Sequence, residues 1–114
     1  MQIIILTMKD TDRIILLKKL FKFTLEIMDF HDQLIEQQKA PIAKRILNST
    51  LSAISSMQKI FESEKISELQ ANKKNAVTNF KNVIYWLEQC ERSGYLFKKS
   101  LLSRAHEFFA FCAE

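Results

Sequence analysis

Glycine and proline are almost missing from this chain: Gly94 and Pro41 are the sole examples in 114 residues. These residue types supply most tight turns and punctuate strand-rich folds, so their scarcity excludes a sandwich or barrel of many short strands and favours long unbroken helices. Cysteine is nearly as scarce. Cys90 and Cys112 are too few for a disulfide framework and lack metal-ligand spacing. Both are expected to be buried, small apolar side chains in a reducing cytoplasm, with a bridge between the third and fourth helices as the alternative. No apolar run approaches the roughly 20 residues of a membrane span. The early run Ile3-Ile4-Ile5-Leu6 has no preceding basic region and no small-residue cleavage site, so it does not read as a secretory signal. A cytoplasmic protein without a membrane partner is the expectation.

What is present is ordinary in amount and informative in spacing. With 47% hydrophobic and 26% charged residues, the chain has the make-up of a globular protein, and 114 residues fit one domain, 1–114, with one core. The net charge of +4 permits contact with a polyanion without requiring it.

The apolar spacing predicts an all-α protein, an up-down-up-down antiparallel four-helix bundle with helices at about 12–37, 40–63, 66–93 and 97–113. Asp10-Thr11-Asp12 offers capping oxygens for helix 1. One apolar row there is Leu16, Leu20, Phe23, Ile27, Phe30 and Leu34; a second is Ile14, Leu17, Phe21, Met28, His31 and Ile35. One intramolecular partner needs a single stripe, so the second row predicts another neighbour, such as a second subunit. Pro41 suits the first turn of helix 2, and Ser63 or Ser67 is placed to cap helix 3. The middle of helix 2, residues 48–56, is rich in Ser and Thr. It reads as a close helix crossing, with a ligand-facing groove as the alternative. Helix 3 carries Leu69, Ala76, Phe80, Val83, Leu87 and Cys90, and Gly94 is placed to end it in a left-handed cap with Tyr95 and Leu96 folding back. Leu16, Leu20, Phe23, Ile27, Phe80, Val83, Leu87, Leu101 and Phe108 are the expected core.

Catalytic constellations are not apparent. His31 and His106 lack the helical partners of a metal or acid–base pair, and the Glu-x-x-His pattern of di-iron bundles, the phosphate-binding glycine loop and the nucleophile elbow are all missing. No catalytic residue, metal ligand or cofactor is assigned. Trp86 and Tyr85 are expected in core or subunit packing.

Charge is distributed unevenly. From residue 13 to 25 helix 1 holds Arg13, Lys18, Lys19 and Lys22 and no acid; from 26 to 36 it holds Glu26, Asp29, Asp32 and Glu36 and no base. The helix dipole favours the reverse order. Lys39, Lys44 and Arg45 at the start of helix 2 are the expected partners of the acidic half. Lys18, Lys19, Lys22, Lys73, Lys74, Lys81, Lys98 and Lys99 are left as a basic surface, either a solvated face or a polyanion-binding one; Lys18, Lys19, Lys22, Lys73, Lys74 and Lys81 are the candidate nucleic-acid contacts, through phosphate rather than base edges.

The segments Ala43-Lys44-Arg45-Ile46-Leu47-Asn48-Ser49-Thr50-Leu51-Ser52, Tyr85-Trp86-Leu87-Glu88 and Ser93-Gly94-Tyr95-Leu96 give the chain, over residues 14–113, a resemblance to a bacterial four-helix-bundle family encoded by intervening sequences in 23S ribosomal RNA genes. It is also similar to the accessory proteins of diversity-generating retroelements. The family's Ser-Ile-Pro/Gly-Ala-Asn-Ile signature is replaced by Ser52-Ala53-Ile54-Ser55-Ser56-Met57, so the role of its Asn is not carried over. The resemblance implies a homo-oligomer, a pentameric ring, without enzymatic activity, and in the retroelement branch an association with RNA or DNA and a reverse transcriptase. The expected function is that of a non-enzymatic oligomeric interaction protein, accessory to a nucleic-acid process through a basic surface. The alternative is a small ligand-binding or enzymatic bundle that uses the hydroxyls of helix 2.

Overall fold

The computed structural model describes residues 8–114; the run Ile3-Ile4-Ile5-Leu6 lies outside the described residues. Among the described residues four helices follow one another: α1, Asp10–Glu36; α2, Ala40–Glu62; α3, Ile66–Arg92; and α4, Lys99–Ala113. α1 begins before Asp12 because Lys9, with an extended backbone and no side-chain cap, precedes it. Asp10 and Asp12 therefore sit in the first turn, where carboxylates suit the dipole, and do not act as caps. At the head of α3 neither serine caps. The Ser63 hydroxyl donates back to the Lys59 carbonyl, and the Glu64 N–H donates to the Glu68 carboxylate.

The turns after α1 and α3 are built alike. Gln38 N–H donates to Ile35 O and Lys39 N–H to Leu34 O; Gly94 N–H donates to Glu91 O and Tyr95 N–H to Cys90 O. Both are Schellman caps, which need a left-handed residue at the hinge. Gly94 takes φ 70° without strain, whereas Gln38 takes φ 62° with a Cβ, at a cost of about 1 kcal/mol. Tyr95 and Leu96 fold back onto the core, as expected. Lys98 is extended (φ −125°, ψ 109°), so Phe97 stays in the connection and α4 starts two residues later than the spacing suggested.

The helices pack in sequence around a square, α1 on α2, α2 on α3, α3 on α4, with α4 closing weakly on α1. α4 has 15 residues against 27 in α1, so much of α1 has no fourth neighbour. Inside, Leu20, Phe23, Ile27, Phe30 and Leu34 of α1 are buried with Phe80, Val83 and Leu87 of α3 and Leu101 and Phe108 of α4. Phe108 joins three helices, its ring 5.4 Å from Phe23 and 5.7 Å from Phe80. Leu16, near the open end, is only half-buried.

The small residues of α2 mark its crossing with α3. Ala43, Ala53 and Ala76 are fully buried, and the Thr50 hydroxyl donates to Ile46 O. Two α3 amides reach across: Asn72 donates to Ser63 Oγ and Lys59 O, and Asn79 to Ser56 Oγ and Ser52 O.

Candidate interaction surfaces

The second apolar row of α1 stays outside the bundle. Ile14, Phe21, Met28 and Ile35, seven residues apart, are exposed, with Leu17 and Leu25 beside them; Phe21 keeps 65% of its surface and Ile14 53%. His31, predicted in the same row, is half-buried, its Nδ1 3.0 Å from Asp32 Oδ1. A stripe of this length rimmed by charge is the form of an interaction face, because isolated apolar side chains are common on surfaces and a contiguous row is not.

The six candidate lysines divide. Lys18, Lys19 and Lys22 are exposed on α1, and Lys19 and Lys22 border a cleft with Arg104 and Glu107. Lys74 and Lys81 are exposed on α3, with the Lys81 ammonium 6.0 Å from the Phe109 ring centroid. Lys73 differs from its expected place on the basic face. It is 8% exposed, and its ammonium donates to the Glu114 main-chain oxygen at 2.7 Å. Position 73 falls on the inward seam between Leu69 and Ala76, so the aliphatic stem is enclosed while the charge reaches the bundle's end. α1 and α3 stand at opposite corners of the square, so the lysines form two groups.

A third surface lies where α2 begins and α3 ends. Gln38, Lys39, Arg45, Trp86, Gln89 and Tyr95 are among the lining of a pocket of about 530 Å³. The Lys39 ammonium lies 4.5 Å from the Tyr95 ring centroid and the Arg45 guanidinium 4.9 Å from that of Trp86, so both cations are positioned by aromatic faces. Compared with known protein families, curated proteins and solved structures, the chain matches none.

Trp86 packs against the core, as expected, and also forms the pocket's half-buried wall, while Tyr85, edge-on to it at 4.9 Å, departs from the expected packing and is exposed. The sequence did hold a signal for this pairing. Asn72, Asn79 and Trp86 are seven apart, as are Lys59, Ser52 and Arg45 on the antiparallel α2; each meets its opposite in turn, and the third rung is the cation over the indole.

Electrostatics ties α1 to α4. Arg104 forms a two-pronged pair with Glu26, Nη2 donating to Oε2 at 2.6 Å and Nη1 to Oε1, and Lys98 stands 3.9 Å from Asp29. The hydrogen bond from Arg104 holds the Glu26 carboxyl below its ordinary value; partial burial opposes this, and the charges of Arg104, Lys22 and Lys98 assist. The same bond raises the Arg104 value. The cations that meet Glu26 and Asp29 therefore come from α4 and the residue before it, whereas Lys39 and Arg45 lie over rings. Burial pushes the Cys90 thiol up to about 11 and the Cys112 thiol up to about 12. Both are free and buried.

Proposed function

We propose that this chain is a non-enzymatic helical-bundle interaction protein that assembles with copies of itself through the outer row of α1. The row of Ile14, Leu17, Phe21, Leu25, Met28 and Ile35, exposed along the helix, carries this reading. Exposed apolar surface on that scale is stabilised by burial against a like surface at about 25 cal/mol per Å², and a second copy is the occupant present wherever the protein is. The resemblance to oligomeric bundles agrees. The hydroxyls that a ligand-binding bundle would use are hydrogen-bonded within the bundle at Thr50 and Ser56. Light scattering at micromolar concentration tests the reading. An oligomer that Phe21→Glu reduces to monomer supports it, and a monomeric wild type ends it.

A second reading, contact with RNA or DNA as an accessory protein, draws on the exposed cations Lys18, Lys19, Lys22, Lys74 and Lys81. Binding would come from phosphate contacts, with little sequence preference and a steep fall with salt. Titrating unrelated RNA and DNA oligomers at two salt concentrations, against a Lys74→Glu, Lys81→Glu variant whose oligomeric state is unchanged, tests this separately. Equal binding by the variant would remove the α3 lysines from the function.

A further inference from the structure

We infer that two copies of this chain pair antiparallel along α1, about a two-fold axis passing beside Leu25. The inference rests on the self-assembly reading and adds to it the orientation, the register and the charges that fix both.

The apolar seam runs through Ile14, Leu17, Phe21, Leu25, Met28 and Ile35, a length of about 32 Å at the rise of an α-helix. One flank of this seam carries Lys18 and Lys22 in its first half and Asp29, Asp32 and Glu36 in its second, all exposed. On a 3.6-residue helix Lys18, Lys22, Asp29 and Glu36 lie within a sector of about 40° beside the seam, and Asp32 lies on the seam's edge between Phe21 and Leu25. When two such helices lie parallel in register, this flank faces the other flank of the partner, which carries Arg13, Thr24 and His31 and no acid to meet Lys18 and Lys22. When they lie antiparallel about Leu25, Ile14 comes opposite Ile35 and Phe21 opposite Met28. Lys18 then faces Asp32 of the second copy and Lys22 faces Asp29, each pair occurring twice by symmetry. Same-flank pairing of this kind follows from an antiparallel two-fold, in which the same patch is used on both partners.

The segregation of charge on α1, unfavourable to its own dipole, is met inside the chain only in part. Glu26 belongs to Arg104 and lies away from the seam, and Asp29 has Lys98 at 3.9 Å. For Lys18 and Lys22 the second copy's acidic half supplies the opposite charge.

Disulfide trapping reads the orientation, and the two native thiols do not interfere because both are buried. Near the axis, Leu25→Cys is expected to cross-link with itself under mild oxidation. Ile14→Cys alone should give no dimer, and a mixture of Ile14→Cys with Ile35→Cys should give the mixed dimer. Independently, Lys18→Glu with Lys22→Glu should weaken assembly about tenfold, and adding Asp29→Lys with Asp32→Lys in the same chain should restore it. Helical content by circular dichroism confirms that each variant folds. Ile14→Cys cross-linking to itself as readily as Leu25→Cys, or assembly into a five-membered ring, overturns the antiparallel pair while leaving self-assembly standing. A wild type that sediments as a monomer overturns both.

Discussion

Arg104 and Glu26 meet fork to fork, each oxygen of the carboxylate taking one guanidinium N–H, and so fasten the last helix to the first along the thinnest seam of the bundle. Partly exposed pairs contribute about 0.2–1 kcal/mol, with two-pronged geometry toward the upper end. Glu26→Gln is expected to cost about that much, and a double-mutant cycle with Arg104→Met isolates the shared part. Because the folded Glu26 value lies below the ordinary 4.5, the contribution is complete above about pH 4.5. It is lost as pH falls through the folded value, where the native carboxylate takes up its proton. Urea denaturation of wild type and Glu26→Gln should therefore converge at the acid end and separate above pH 5.

Phe108 holds α1, α3 and α4 through ring contacts at 5.4 and 5.7 Å. Phe108→Ala should cost about 3–5 kcal/mol, because the neighbouring rings cannot close the space it leaves. Chemical denaturation with an unchanged m-value checks this.

Gln38 at φ 62° occupies the position that Gly94 occupies in the other cap. Gln38→Gly is expected to stabilise the fold by up to about 1 kcal/mol, since the hinge bonds of both caps are the same and only the Cβ strain differs. A fall in stability would show that the Gln38 side chain contributes more than its backbone costs.

Cys112 lies by Lys73, whose charge reaches its thiol, and Cys90 is 17 residues further along α3, about 25 Å at helical rise. A bridge between them is excluded by that separation. Ellman's reagent at pH 8 should react slowly with native protein and rapidly in denaturant, because burial disfavours both thiolates.

The Arg45 guanidinium over Trp86 makes the surroundings of the sole indole anion-attracting. Iodide should quench its fluorescence more effectively than caesium, and Arg45→Glu should invert that order.

The helices, their order and most of the core were legible in the sequence because burial imposes a three-to-four spacing that a single chain displays. Phe23, Phe80 and Leu101 announced themselves in this way. Gly94 was legible because glycine is the ordinary left-handed cap, and Gln38 was not, because the same hinge is there formed by a residue without that preference. Lys73 was misplaced for a related reason: charge argues for the surface, and only the seam position and the carbonyl at the bundle's end show where the long stem goes. The pocket between Lys39, Arg45, Trp86 and Tyr95 depends on which helices are neighbours, information that spacing along one helix does not contain.

The proposed self-assembly requires the outer row of α1 to be covered by another copy of the chain. Sedimentation equilibrium across low to high micromolar concentration tests it most directly, with wild type beside a Phe21→Glu, Met28→Glu variant. Wild type is expected to form a reversible oligomer and the variant a folded monomer. A wild type of monomer mass at every concentration, or an oligomer indifferent to both substitutions, would contradict it.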